Sequence, residues 1–180
     1  MENWQDGNSD TFEQLFRQYE KIVFRTAYLI TGSKEHAEDI VQNVFLSVWR
    51  SRSSYDPAKG KFTTWLHRIV VNECSHCFQN SKLNQISLDD CEEMATLEPQ
   101  PEEVLLGQEE RSLLINVIGT MEQKYRTILV LHYFNELTCL DIANLLDVPV
   151  GTVKWRLHQA LIIARSKVSQ QLSLMKGEQS

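Results

Sequence analysis

Between Ser81 and Pro101 the apolar rhythm of the chain stops. The segment SKLNQISLDDCEEMATLEPQP sets five carboxylates against one lysine, has Pro99 and Pro101 at its end, and carries no sustained apolar stripe. Such a stretch reads as a linker, because it offers neither a face to bury nor a backbone suited to a continuous helix. On either side, apolar residues recur at helical spacing and strand-like alternation is scarce. The 180 residues, 42% hydrophobic and 23% charged, are enough for two small cores. The expectation is an all-α protein: two small helical domains, 1–80 and 102–180, joined by a flexible acidic linker, 81–101.

In the first domain, Phe12, Leu15, Phe16, Tyr19, Ile22 and Val23 mark one helix, with Asp10 as N-cap and Gly32 as stop. A second begins after Ser33 and carries Ala37, Val41, Val44, Phe45 and Val48 on one stripe. After a turn containing Asp56, Pro57 and Gly60, a third runs from about Phe62 to Asn80. In the second domain, Val104, Leu105, Leu113, Leu114, Val117 and Ile118 mark an amphipathic helix, and EQKYRTILVLHYFNE a more apolar one. Then come the short TCLDIANLLD, with Thr138 as N-cap, a tight turn around Val148, Pro149 and Gly151, and a longer helix. A short helix, a tight turn and a longer helix form a helix-turn-helix.

In the last helix Val153, Leu157, Ala160, Leu161, Ala164 and Val168 share the core stripe. Thr152, Trp155, Arg156 and Gln159 then point outward, with Lys154 on the flank. Hydroxyl, amide and cationic groups near a helix N-terminus suit phosphates and base edges. The chain is net −6, yet residues 151–180 set Lys154, Arg156, Arg165, Lys167 and Lys176 against Glu178 alone. A locally basic helix binds polyanion even on an acidic chain.

LTCLDIANLLDVPVGTVKWRLHQAL resembles the C-terminal helix-turn-helix of the extracytoplasmic-function (ECF) sigma factors of bacterial RNA polymerase, in the sigma-70 family. FEQLFRQYEKIVFRTAYLITGSKEHAEDIVQNVFLSVWRSRSSYDPAKGKFTTWLHRIVVN is similar to that family's promoter-melting domain. The likeness covers about residues 10–80 and 102–170, in the family's order. It implies a promoter-specificity subunit whose partners are core RNA polymerase, promoter DNA and an anti-sigma factor, without direct membrane insertion.

The resemblance also implies roles. Residues matching AEDIVQNVF would grip a coiled-coil helix pair on the polymerase's largest subunit, giving Asp39, Gln42, Asn43 and Leu46 to that contact. The second helix leaves these, with Arg50, on its outer face. The third helix and SRSSYDPAKGKF would capture unpaired bases of the −10 element through Lys59, Lys61, Phe62, Trp65, Arg68 and Asn72. Polar readers beside an aromatic suit a splayed single strand. Thr152, Lys154, Trp155, Arg156 and Gln159 would read the −35 duplex. The linker carboxylates Asp89, Asp90, Glu92 and Glu93 would face the polymerase's active-site channel.

The chain departs from the family pattern at several points. Asn43 stands where an acidic residue is expected, and ECSHCFQN replaces an acidic residue followed by paired basic ones. Gln159, Ile162 and Ile163 occupy positions that tend to be basic, and Trp155 one often small and polar. Cys74 and Cys77 form a CxxC pair, but His67 lies about 10 Å away along the same helix by helix rise, so one helix cannot complete a tetrahedral metal set. With Cys91 and Cys139 they read as thiols rather than a disulfide framework. No nucleophile–base pair and no phosphate-cradling glycine loop is present, so neither an enzyme nor a cofactor is expected. MENWQDGNSD lacks signal-peptide character, and the cytoplasm is the expected compartment. The rival reading is a helix-turn-helix regulator that acts without being a polymerase subunit.

Overall fold

The computed structural model describes residues 4–80 and 108–177, and Val104, Leu105, Cys91 and the linker carboxylates lie outside them. The helices are α1 (Ser9–Thr31), α2 (Lys34–Arg50), α3 (Phe62–Asn80), α4 (Gln108–Gly119), α5 (Gln123–Leu129), α6 (Cys139–Leu146) and α7 (Val150–Gly177). A 3-10 turn, Arg52–Ser54, precedes α3. The fold is all-α, and no strand occurs among the described residues.

The helix ends follow from local chemistry. Asn8, not Asp10, caps α1: its Oδ1 accepts from the backbone N–H of Asp10 at 2.9 Å and Thr11 at 3.3 Å. Asp10 instead sits in the first turn, where its carboxylate complements the helix dipole. Gly32 ends α1 in the left-handed conformation (φ 77°), donating to Tyr28 O at 2.7 Å. Ser33 caps α2 by accepting from His36 N at 3.3 Å.

α5 does not continue as one regular helix. Val130–Phe134 widens into a π turn, closed by Asn135 N donating to Val130 O at 3.2 Å. Such a turn re-aims the residues that follow it. Here Phe134 and Asn135 are turned toward α1.

The two helical groups pack against each other: α1 meets α4, α5 and the π turn, and α3 meets α6. Three polar side chains bridge them. Arg25 on α1 donates through Nη2 to Phe134 O at 2.6 Å and lies over the Phe134 ring, 5.8 Å from its centroid. Arg126 on α5 is 5% exposed; its Nη1 donates to Ile30 O at 3.0 Å and its Nη2 to Met121 O at 2.8 Å and to Gly119 O. Asn135 Nδ2 donates to Thr26 Oγ1 at 2.8 Å and lies 2.8 Å from His67 Nε2 on α3.

Burial pulls the His67 pKa from 6.5 down to about 4. The folded value lies below the unfolded one, so the unfolded chain binds a proton that the native state excludes. The stability held by neutral His67 is therefore present above about pH 6.5 and is lost as pH falls toward 4. At pH 5 the loss is about 2 kcal/mol. Urea midpoints at pH 7.5 and 5 should separate more for the native chain than for His67→Gln; equal separations would remove His67 as the cause.

Candidate functional site

Three solvent-facing surfaces carry the residues singled out above. On α2, Ala37, Ile40, Val41, Val44, Phe45 and Val48 turn inward and are buried. The helical period then leaves Asp39, Gln42, Asn43, Leu46 and Arg50 exposed together, Leu46 at 51%. A cleft between α2 and α3 runs beside them and brings His36, Glu73 and His76 to the same surface. Glu73 Oε1 accepts from Ser47 Oγ at 3.0 Å, fixing the carboxylate at the cleft wall. The meeting of Glu73 with Ser47 was not legible in the sequence, because the two lie 26 residues apart and neither carries a local signature of the other.

The second surface is the α3 flank with its preceding loop. Arg68 and Asn72, one helical turn apart, are exposed, as are Lys59 and Lys61. Lys59 Nζ is 3.5 Å from Asp56 Oδ2, a solvent-screened pair that contributes little to stability. The loop is folded on itself: Asp56 Oδ1 accepts from Ala58 N at 3.0 Å, and Tyr55 OH donates to Gly60 O at 3.3 Å.

Phe62 differs from the expectation. It is 5% exposed, its ring 5.0 Å from Tyr19 and 5.5 Å from Tyr55, so it lies packed beneath the α3 flank and away from solvent. As the first residue of α3 it falls on the core stripe with Leu66 and Val70, and that periodicity outweighs its place beside the loop. Trp65 is half-buried against Tyr55 and Phe62, at 5.4 and 5.7 Å, and presents only part of its ring.

The third surface is the helix-turn-helix. Thr138 and Asp141 form a reciprocal capping box: Asp141 N donates to Thr138 Oγ1 at 3.1 Å, and Thr138 N to Asp141 Oδ2 at 3.2 Å. The turn's left-handed position is taken by Asp147 (φ 54°), not by Gly151, which lies inside the first turn of α7. Aspartate tolerates that conformation through its short polar side chain. Pro149 O then accepts from Thr152 N at 2.9 Å, starting α7.

Val153, Leu157 and Ala160 anchor α7, leaving Lys154 and Trp155 exposed and Thr152, Arg156 and Gln159 half-buried beside them. The Trp155 ring lies 6.3 Å from that of Tyr125, and Lys124 Nζ sits 4.8 Å above Tyr125. Lys124 and Tyr125, at the start of α5, thus extend the face. Only tertiary packing brings them there, so no local pattern marks them.

Cys74 is buried, and burial raises its thiol well above the ordinary range, so it stays protonated and unreactive. Among the described residues no three His, Cys, Asp or Glu side chains gather as a metal-binding group. No helix there is long and apolar enough to cross a membrane.

Residues 15–82 match Sigma-70 region 2, and residues 111–162 match Sigma-70, region 4. The chain is 31% identical over 164 residues to the ECF RNA polymerase sigma factor SigW of Bacillus subtilis (strain 168), covering 85% of this chain and 86% of that one. It is 27% identical over 179 residues to the ECF RNA polymerase sigma-E factor of Escherichia coli (strain K12), covering 93% and 92%. In fold it is similar to the sigma factor RpoE from Bartonella quintana, solved in complex with the anti-sigma factor NepR. That likeness has a TM-score of 0.67 and 17% identity, and covers 88% of this chain and 97% of that one.

Proposed function

The chain belongs to the ECF sigma factors of the sigma-70 family, and from that membership we propose how its surfaces divide the work. Its function is to direct bacterial RNA polymerase to promoters. Asp39, Gln42, Asn43 and Leu46 grip core polymerase. Lys59, Lys61, Trp65, Arg68 and Asn72 hold the melted −10 strand, with Phe62 supporting Trp65 from below. Thr152, Lys154, Trp155, Arg156 and Gln159 dock in the −35 major groove. Residues 1–80 thus serve polymerase binding and −10 capture, 102–180 serve −35 recognition, and 81–101 join them.

The observation that supports this division is that exposed and half-buried polar side chains gather on the α3 flank and at the start of α7, with the exposed Leu46 patch on α2. Catalysis belongs to the polymerase; this chain supplies the address, and contacts to captured bases offset the cost of unpairing them. Its place is the cytoplasm, with the polymerase. By likeness to the Bartonella quintana protein, described with an anti-sigma factor, an inhibitor of that class covers the polymerase-binding surface.

Run-off transcription with core polymerase tests the reading: the chain should produce defined start sites that core alone does not. No gain in site selection would refute it. Within that assay's promoters, Arg156→Ala should weaken binding to the −35 duplex by about 1–3 kcal/mol if it pairs with a base edge. A phosphate contact would instead lower the salt slope by about one. Unchanged binding across salt concentrations would remove α7 from the contact.

A further inference from the structure

The turn Trp4–Gly7, ahead of the residues matched to Sigma-70 region 2, is built into the base of the −10 loop. Trp4 is 2% exposed. Its ring stacks 6.3 Å from Tyr55, meets Phe62 edge-on at 5.5 Å and lies 6.2 Å from Trp65. Beside it, Gln5 Nε2 donates to two loop carbonyls, Arg52 O at 2.9 Å and Tyr55 O at 2.8 Å. Gly7 closes the turn, donating to Trp4 O at 3.2 Å in a left-handed conformation (φ 83°). The arrangement grips both ends of the 3-10 turn and one side of Trp65, while Lys59 and Lys61 at the tip stay exposed.

We propose that Trp4 and Gln5 are positioning residues for −10 strand capture: they hold the 52–61 loop and the Trp65 ring in the geometry that receives unpaired bases, without touching the DNA themselves. This rests on the reading that the loop and α3 form the −10 surface. Its physical basis is preorganisation. A loop of this length, unanchored, samples many conformations, and ordering it on binding subtracts from affinity. Gln5 supplies two donors to carbonyls that would otherwise turn to water, and Trp4 gives Trp65 a wall against which its rotamer is fixed.

The test uses holoenzyme assembled from core polymerase and the full chain. The probe is a forked oligonucleotide carrying the unpaired −10 strand of a promoter this holoenzyme transcribes. Gln5→Glu keeps the size of the side chain but replaces the donor with an acceptor. It should weaken the fork about 5–10-fold and flatten the preference among bases at the unpaired positions, while binding to core polymerase and to a −35 duplex stays as before. Trp4→Ala should do the same and Trp4→Phe should restore most of the loss.

Arg68→Ala with Asn72→Ala serves as the direct-reader control. If the control weakens the fork and neither Gln5→Glu nor Trp4→Ala does, the positioning role is wrong and the −10 surface stands. If the control has no effect, the surface assignment falls and the role with it. A drop in melting temperature with unaltered fork affinity and base preference would make the turn merely structural and overturn the proposal. Tighter fork binding by Trp4→Ala would also overturn it, by showing that Trp4 obstructs the strand.

Discussion

Replacing Arg126 by alanine should lower the unfolding free energy by about 3 kcal/mol, a large part of the roughly 5–15 kcal/mol that holds a folded chain together. The side chain donates to Ile30, Gly119 and Met121 carbonyls, and the site is closed to solvent. Each charge-assisted bond is worth about 1.5–3 kcal/mol. The bonds do not simply add, because burying the guanidinium carries its own cost. That cost is visible in a guanidinium pKa drawn down to about 10 by desolvation, and in an Nε that is buried without a hydrogen-bond partner. Arg126→Met keeps the aliphatic stem and so separates lost packing from lost hydrogen bonds. Urea unfolding of both variants reads the result. A loss below about 1 kcal/mol in each would show that the three carbonyls find other donors and that Arg126 is dispensable.

Leu46→Asp should leave stability nearly unchanged and still abolish promoter-directed transcription. Leu46 is 51% exposed, so the native fold gains little from it. If this face of α2 is the polymerase contact, Leu46 is its exposed apolar residue, beside Gln42 and Asn43, and loss of a centrally buried side chain costs about 2 kcal/mol. A buried carboxylate in its place adds desolvation. Affinity for core polymerase should fall at least about 30-fold, measured by fluorescence anisotropy, with an unaltered helical circular dichroism spectrum. Association within twofold of the native chain would show that the polymerase grips another face.

What was legible in the chain was what local chemistry decides. The all-α class, the start of α2 after Ser33, Thr138 as a cap, Gly32 as a stop and the outward set on α2 all follow from spacing and from residues within a turn of each other. The cap of α1 was misplaced by two residues because asparagine and aspartate compete for one role, and Asn8 has the position from which its amide oxygen reaches both backbone donors. Phe62 was given a base contact by the family resemblance, although its spacing with Leu66 and Val70 sets it on the apolar stripe of α3, where the structure buries it. The rest depends on distant partners. Asn135 finds Thr26 across 109 residues, and Gln5 finds Tyr55 across 50, so no window along the chain could show either. Trp4 sat in a polar stretch with no periodicity to announce a buried ring.

The contact between the two helical groups bears on the span the chain must reach. Elements centred near −10 and −35 are about 25 base pairs apart, about 85 Å of duplex at about 3.4 Å per pair. The longest helix, α7 at 28 residues, measures only about 42 Å. Were the α3 flank and the start of α7 to read those two elements, surfaces joined through Arg25, Arg126 and Asn135 could not straddle that distance, and the clasp would have to part first. Each factor of ten by which the clasped form outweighs the parted one takes a factor of ten from the apparent affinity for a promoter held by polymerase. Arg25, Arg126 and Asn135, donors to which the proposed division of surfaces gives no DNA contact, would then set a threshold for switching on transcription.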